Sequence, residues 1–418
     1  MSAKEPDKKF SLYQIFIIVI LSFIHFTVIL DFMVIAPLGA MLLEIMDLSP
    51  AQFGWVVSAY AFSAGISGLL AAGFADRYDR KKFLLFFYAG FVLGTFLCGI
   101  ATNFVFLLIA RIVTGIFGGV IASIAMAIVT DLFPLQVRGR VMGFIQMSFA
   151  VSQVAGIPFG IYLANVYGWH APFFFIVALC LVAGFAIVRW MEPIDAHVRI
   201  QTEQNAFRHL KKTVRQRFYQ KAFVTTAMLS IGGFLLMPFS SAFSVNNLGI
   251  SQHDLPLVFL FTGLSTIIVL PAVGRINDIV GAMKIFTAGT LLASVMILIY
   301  TNLSVTPFWT VVLVNVVLFV GIMSRMIPAM ATMTAVPELK DRGAFMSINS
   351  SLQQIAGGIA SVFAGTVVVQ TAAGPLENYD TLGYYSVALM LICIVLMNSI
   401  QKFVSEQPRS NATEGPMH

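Results

Sequence analysis

Ala72–Lys82 reads AGFADRYDRKK and lies between two long apolar runs. A weaker copy of this stretch, GRINDIVGAMK, occupies Gly274–Lys284. A second echo follows each copy, because RGRVM at Arg138–Met142 returns as RGAFM at Arg342–Met346. Chance similarity among basic loops would have to occur twice in the same register. The two echoes therefore indicate that the chain consists of two related halves.

The composition is that of a membrane protein. Apolar residues form 58% and charged residues 11% of the 418 residues, whereas a soluble chain of this length needs far more charge on its surface. Twelve apolar stretches each approach the roughly 20 residues that a helix needs to cross the hydrocarbon core. Their length predicts helices rather than the short alternating strands of a barrel. The stretches lie near 12–36, 52–75, 83–101, 103–130, 139–165, 171–190, 221–246, 255–276, 284–301, 308–331, 343–369 and 382–402.

Basic residues fall on one side of the predicted spans. They precede the first span, follow the even-numbered spans and fill the region between the sixth and the seventh. The loops after the odd-numbered spans carry no Lys or Arg and hold acids instead, namely Glu44, Asp47, Asp254, Glu377 and Asp380. By the positive-inside rule, we expect a multi-pass protein of the cytoplasmic membrane with both termini in the cytoplasm.

The spans are expected to form two pseudo-symmetric bundles of six helices. The predicted division is an N-terminal bundle at 1–190, a cytoplasmic linker at 191–220, a C-terminal bundle at 221–402 and a cytoplasmic tail at 403–418. In the linker, apolar residues recur at mostly helical intervals between basic residues, which predicts an amphipathic helix. A helix on the anionic inner leaflet and a solvated tether both fit this pattern.

The same features argue against several functions. The net charge of +6 comes from loops and not from a basic stripe on a soluble domain, so no nucleic-acid partner is expected. Cys98, Cys180 and Cys393 fall inside spans, where they are expected to pack as small apolar residues rather than form a disulfide or metal site. No nucleotide-binding G-x-x-x-x-G-K-[ST] stretch occurs. We expect no enzyme activity, no metal and no cofactor.

These motifs resemble those of the major facilitator superfamily, in particular its twelve-helix drug:proton antiporter branch. The loop at 72–82 is similar to the signature after the second helix of that superfamily, although Ala72 and Asp79 stand where glycines are usual. Arg111–Gly115 (RIVTG) is similar to a second motif, with Thr114 where Gln is common. The resemblance covers nearly the whole chain. It implies an all-α membrane fold of twelve transmembrane helices in two six-helix bundles, active as a monomer.

A third motif lies in the fifth span. Gly156–Gly160 (GIPFG) is similar to the Gly/Pro motif that marks antiporters, although the proline stands one place late. Proline interrupts helical hydrogen bonding and is a common cause of helix flexing. The predicted hinge residues are Gly156, Pro158 and Gly160, together with Pro328 in the tenth span.

Charged residues of the repeated loops are expected to hold one conformation. A carboxylate at Asp76 lies near helix N-termini, which stabilise it by roughly 0.3–1 kcal/mol, and is within range of pairing with Arg138 or Arg140. Such contacts exist only while the cytoplasmic ends of the halves are closed, so they act as a latch. Charges that merely hold the topology are the alternative. The predicted latch residues are Asp76, Arg77, Arg80, Lys81, Arg138, Arg140 and Asp278.

Four residues that titrate or carry charge lie well inside spans, namely His25, Asp31, Arg111 and Arg325. Burial in a membrane is costly for a charge, so each is expected to be paired or functional. Asp31 and Arg111 lie at similar depth in the first and fourth spans, which are neighbours in the resembled fold. A carboxylate beside a permanent cation predicts a proton-coupling switch, with a static ion pair as the alternative. His25 is expected either to relay protons or to hydrogen-bond a neighbouring helix.

Arg325 is expected either to meet a polar or anionic part of a substrate or to cap backbone carbonyls near the membrane surface. Adaptable apolar and neutral polar side chains of other spans are candidates for the same cavity. The predicted cavity residues are Gln146, Met237, Ser240, Ser244, Asn315, Arg325, Asn349 and Gln353.

A duplicated, apolar chain is typical of a secondary transporter whose site lies between its halves. Together with the resemblance, this predicts proton-coupled efflux of small amphipathic or hydrophobic organic compounds by alternating access. The expected partners are a small-molecule substrate, protons and membrane lipids. A proton-linked importer or facilitator of sugars or other metabolites, and a lysolipid translocator, are alternatives on the same fold. A membrane-embedded enzyme or receptor has no supporting motif.

Overall fold

The computed structural model describes residues 10–71, 78–195, 206–338, 341–371 and 374–406, and only the backbone at 135, 206–208 and 278. The first half of the chain forms helices α1 Leu12–Val34, α2 Gly39–Ile45, α3 Pro50–Ala71, α4 Arg80–Gly99, α5 Phe104–Leu132, α6 Leu135–Val151, α7 Ile157–Tyr167 and α8 Ala171–Trp190. A π-helical turn at Ser152–Gly156 joins α6 to α7.

The second half begins with a short helix and continues with longer ones. These are α9 Ala206–Arg215, α10 Arg217–Phe234, α11 Ser240–Asn246, α12 Leu255–Val280, α13 Ala282–Thr301, α14 Phe308–Ala335, α15 Arg342–Val367 and α16 Tyr379–Glu406. Between α15 and α16 lies an antiparallel pair of two-residue strands, β1 Val369–Gln370 and β2 Leu376–Glu377.

Side-chain caps and glycines set several helix ends. Ser11 and Gln14 form a reciprocal capping box at the start of α1. Asn103 accepts a hydrogen bond from the Phe106 amide at the start of α5, which satisfies one of the amides left free at a helix N-terminus. Gly168 ends α7 with a φ of 89°, a conformation that L side chains rarely adopt.

Eleven helical segments of the described chain are long and apolar enough to cross a membrane, so this is an all-helical, multi-pass membrane protein. The predicted twelfth stretch, 343–369, coincides with α15, which has 26 residues. Its Ser, Asn, Gln and Gly residues lower its hydropathy, and it is not one of the eleven. The twelve-span count therefore stays a prediction.

Glycines let α3 and α15 approach closely and join the two halves of the chain. A Cβ atom at Gly54 would lie 2.6 Å from the Ser361 carbonyl oxygen, and one at Gly65 would lie 2.8 Å from the carbonyl oxygen of Ser351. Small residues at a helix interface permit such backbone contact inside membranes. The α3–α15 pair is therefore a close seam between the halves.

Hydrogen bonds and rings close one end of the molecule. The Ser241 hydroxyl of α11 donates to the carbonyl oxygen of Ala36 at 2.8 Å, just beyond α1. The Asn165 amide of α7 donates to the carbonyl oxygen of Gln252 at 2.7 Å. The Phe53 and Phe239 rings meet edge to face at a centroid distance of 5.7 Å. All three contacts join the N-terminal helices to the C-terminal helices.

We expect Gly54→Ala to weaken the α3–α15 seam. The new Cβ would force the backbones apart, and overpacking of this kind typically costs about 1–3 kcal/mol. Gly143→Ala on α6 is the matched control, because nothing lies within 4 Å of its Cβ position. Alanine in an open helical position is favoured over glycine by about 1 kcal/mol. Thermal unfolding of the two purified variants should therefore shift in opposite directions, and equal shifts would contradict the close seam.

Candidate ion-pair site

A fully buried ion pair lies inside the N-terminal helices. Asp31 on α1 and Arg111 on α5 are both 0% exposed. One guanidinium nitrogen, Nη1 of Arg111, donates to Oδ2 of Asp31 at 3.0 Å and to the Asp31 backbone oxygen at 3.2 Å. The same nitrogen therefore holds both the carboxylate and the backbone of α1.

Neutral groups complete the surroundings of the pair. The Thr95 hydroxyl on α4 donates to Oδ1 of Asp31 at 3.1 Å, so both carboxylate oxygens accept a hydrogen bond. The Arg111 guanidinium carbon lies 4.7 Å from the ring centroid of Tyr60 on α3, which is a cation–π contact. Nε and Nη2 of Arg111 make no hydrogen bond within the part of the chain that the structure describes. We call Asp31, Thr95, Arg111 and Tyr60 the ion-pair site.

The chemistry of this site follows from its burial. Two charges removed from water are tolerated when they are paired, and the loss of one partner leaves the other uncompensated. Arginine keeps its charge at physiological pH, so only the carboxylate can change state. Protonation of Asp31 would weaken its bond to Nη1, while the backbone and ring contacts of Arg111 would remain. The pair is therefore able to act as a two-state element controlled by one proton.

An aromatic contact connects this site to the other half of the chain. Phe32 follows Asp31 on α1, and its ring lies 5.2 Å from the Tyr60 ring and 6.1 Å from the Phe234 ring on α10. A change in the position of α1 at Asp31 therefore reaches a C-terminal helix through one ring. Sequence reasoning did not single out Thr95, Tyr60, Phe32 or Phe234, because nothing in their spacing sets them apart from other residues of apolar spans.

The other intramembrane residues lie apart from the ion-pair site. His25 on α1 is half-buried and lies beside the Gln146 side chain of α6. Arg325 on α14 is 3% exposed and lies over the Phe286 ring at 5.9 Å, beside the Cys393 thiol. Its Nε and Nη2 make no hydrogen bond among the described residues. Arg325 is thus enclosed by α13, α14 and α16.

Four of the eight predicted cavity residues form hydrogen bonds within their own half. Ser244 is buried and shares a 3.0 Å hydrogen bond with the hydroxyl of Tyr300, which also donates to the carbonyl oxygen of Ser240. Asn349 accepts a 2.6 Å bond from Thr226, and Asn315 donates to the Val311 carbonyl oxygen. Met237 is half-buried, and Gln146 and Gln353 are exposed. Their place in a substrate cavity stays a prediction.

The predicted hinge on the fifth span coincides with irregular helix. The π-helical turn ends at Gly156, whose Cβ position lies 2.8 Å from a methyl group of Leu30 on α1, and Pro158 follows in the first turn of α7. A Cβ at Gly160 would lie 3.1 Å from a methyl group of Val34. A π-helical turn is a common site of helix irregularity. Pro328 lies inside α14.

Several latch residues are held within the N-terminal half. Arg80 is 4% exposed and its Nε lies 2.9 Å from Oδ2 of Asp131 at the end of α5. Lys81 donates to the carbonyl oxygens of Val188 and Met191. Asp76, Arg77 and the Asp278 side chain lie outside the described residues.

Arg138 and Arg140, near the start of α6, also have local partners. Arg138 donates to the carbonyl oxygens of Phe133 and Thr130 at 2.8 and 2.6 Å, so it caps the end of α5. The Arg140 guanidinium carbon lies 5.5 Å from the Phe10 ring centroid. The latch that sequence reasoning predicts between Asp76 and these arginines therefore stays a prediction.

A sequence profile of the Major Facilitator Superfamily matches residues 21–361 and 222–415. The chain belongs to the major facilitator superfamily. The uncharacterized MFS-type transporter YceJ of Bacillus subtilis is 25% identical over 400 residues, which cover 93% of this chain and 97% of YceJ. Multidrug resistance protein 1 of the same organism is 24% identical over 355 residues, 83% of this chain and 86% of that protein.

Solved structures of the superfamily share the fold. A crystal structure of a bacterial homologue of the human lysosomal transporter Spinster, in an inward-facing conformation, superposes with a TM-score of 0.69 at 16% identity, covering 95% of this chain and 97% of that chain. The nucleoside transporter NupG gives a TM-score of 0.68 at 14% identity, covering 92% and 98%. At these identities the comparison shows the fold alone.

A double-mutant cycle tests the energetic coupling of the ion pair. Arg111→Gln and Asp31→Asn should each lower the free energy of unfolding by about 3 kcal/mol, because each leaves a buried group without its partner. The double variant should lose clearly less than the sum of the two. Arg111→Gln combined with Thr290→Val is the control, because the Thr290 hydroxyl donates to the Phe286 carbonyl oxygen within its own helix α13. That combination should be additive, and additivity for the ion pair as well would contradict direct coupling.

Proposed function

We propose that this superfamily member is a proton-coupled exporter of small amphipathic or hydrophobic organic compounds, working by alternating access. It crosses the cytoplasmic membrane twelve times, with α15 as the polar member of the set and with both termini in the cytoplasm. The distribution of Lys and Arg supports this orientation. Multidrug resistance proteins among its relatives support the substrate class.

The observation that carries the proposal is the buried Asp31–Arg111 pair. A carboxylate with 0% exposure and one arginine partner is the acid in the described spans that is best placed to take up and release a proton. Proton uptake removes the charge that holds Nη1, and proton release restores it. Because the bond between Nη1 and Oδ2 joins α5 to α1, the same event alters how α1 is held against α5.

Alternating access also requires that protonation of Asp31 affects how the two halves of the chain are positioned relative to each other. Phe32 supplies a path from the ion-pair site to Phe234 on α10, and the Ser241–Ala36 bond lies at the closed end, just beyond α1. In our proposal the ionised pair and the protonated acid favour different positions of α1, so each proton step biases one of two conformations. The membrane potential adds about 2.3 kcal/mol per charge per 100 mV to such a step.

Transport driven by a pH gradient tests the role of Asp31. We expect Asp31→Asn in proteoliposomes to bind amphipathic fluorescent dyes but to lose their accumulation against a gradient. The acid that exchanges the proton is then missing, while the rest of the fold is kept. Asp47→Asn is the matched control, because Asp47 is exposed and its φ of 49° is tolerated by asparagine. The control should transport as the unmodified protein does.

The direction of transport is measured in the same preparation. Dye movement opposite to proton movement supports export, whereas movement in the same direction would favour a proton-linked importer of metabolites. Normal pH-driven accumulation by Asp31→Asn would make Asp31 structural and would contradict the proposed mechanism. A folded variant is identified by size-exclusion chromatography before either outcome is interpreted.

A further inference from the structure

Helix α9 lies where the second half of the chain enters the membrane. It ends at Arg215, and the next residue, Gln216, leaves the helical path with φ −70° and ψ 117°. Arg217 then starts a 30-residue candidate membrane span that runs to Asn246. Because the span begins two residues after α9 ends, α9 is positioned at the level of the lipid headgroups.

One face of α9 is fixed to the C-terminal helices. Thr213 is 0% exposed, and Leu210 packs against the buried cluster of Tyr219 and Phe345. Oδ1 of Asp341, the residue before α15, lies 3.5 Å from Nε2 of His209. The second oxygen of Asp341 accepts 3.2 Å bonds from the Gln216 side chain and the Tyr219 hydroxyl. Asp341 is 2% exposed, so this contact is shielded from water and ties α9 to the start of α15.

The opposite face of α9 is exposed and basic. We call Lys211, Lys212, Val214 and Arg215 the basic face; all four side chains are exposed, Val214 by 43%. No salt bridge joins its three cations to an acid among the residues that the structure describes. Several cations around one apolar side chain, at the level of the headgroups, are the features of a helix that contacts an anionic membrane surface.

The anchored face connects this surface to the seam between the halves. Asp341 immediately precedes α15, and α15 packs closely on α3 of the N-terminal half through Gly54 and Gly65. A force on α9 therefore acts on a helix that packs closely against the other half.

We propose that the basic face of α9 docks on anionic phospholipid headgroups. Because Asp341 contacts α9 and immediately precedes α15, this docking affects the position of α15. The charge of the lipid surface thereby controls the packing of α15 against α3. Anionic lipid fits because the face presents cations that pair with no acid of the described residues. This inference concerns a lipid partner and is independent of the transported compound and of proton coupling.

The test uses the full chain in nanodiscs of neutral phosphatidylcholine, with and without phosphatidylglycerol. The variant carries Lys211→Gln, Lys212→Gln and Arg215→Gln. The control carries Arg189→Gln, Lys284→Gln and Lys402→Gln, which remove the same charge from exposed positions at the ends of three other helices. Retention of phosphatidylglycerol by the detergent-solubilised protein, measured by native mass spectrometry, gives the affinity. Thermal unfolding gives the effect on stability.

We expect phosphatidylglycerol to raise the unfolding temperature of the unmodified protein, and high salt to abolish the rise. The α9 variant should bind phosphatidylglycerol about tenfold more weakly or worse and lose the rise, whereas the control should keep most of both. Asp341→Asn should retain lipid binding but lose the rise in unfolding temperature.

Other results would overturn the proposal. If the variant and the control lose lipid binding and the rise in unfolding temperature equally, the effect is one of net charge and not of the basic face. If the unmodified protein shows no salt-sensitive response to phosphatidylglycerol, the basic face is not a docking surface for anionic lipid. This result does not depend on whether the variants fold. A similar rise caused by inorganic phosphate in neutral nanodiscs would show a site for a soluble anion rather than for a membrane. A full rise in Asp341→Asn would contradict the connection to α15.

Discussion

The ion pair between Asp31 and Arg111 is the interaction on which the arrangement of the N-terminal helices depends. Neither side chain reaches water, so each charge is tolerable only because the other is present. The pair joins α1 to α5. Thr95 of α4 hydrogen-bonds Asp31, and the ring of Tyr60 of α3 contacts the Arg111 guanidinium. Four helices therefore meet at this one buried ion pair.

The helices of the C-terminal half are held together without a fully buried ion pair among its described residues. Its first helices meet α13 through hydroxyl groups, where Ser244 and Tyr300 share a hydrogen bond. Arg325 lies in α14 and does not align with Arg111 in the repeat. The fully buried ion pair of the described residues thus lies in one half of the duplicated fold, and Phe32, Ala36 and Gly54 contact the other half.

Much of the fold follows from the sequence, because a membrane demands long apolar helices and the apolar runs mark them directly. Predicted and observed spans agree within a few residues, as at 171–190, while α15 shows how polar residues at a helix seam weaken the hydropathy signal. The intramembrane charges also stand out by type. Their neighbours do not, because Thr95, Tyr60 and Phe32 are ordinary in composition and gain their roles from the rotation and depth of helices far apart in the chain. The same holds for Asp131, whose pairing with Arg80 depends on where α5 ends.

In the proposed mechanism, Asp31 changes its protonation state while it stays buried beside Arg111. Infrared difference spectroscopy of the purified protein, recorded as pH is varied, detects the C=O stretch of a protonated carboxyl group. We expect a band for a buried carboxylic acid that grows as pH falls and is absent from Asp31→Asn, while Asp47→Asn retains it. A band that is unchanged in Asp31→Asn, or an Asp31 carboxylate that stays ionised over the whole pH range in which the protein is folded, would contradict it.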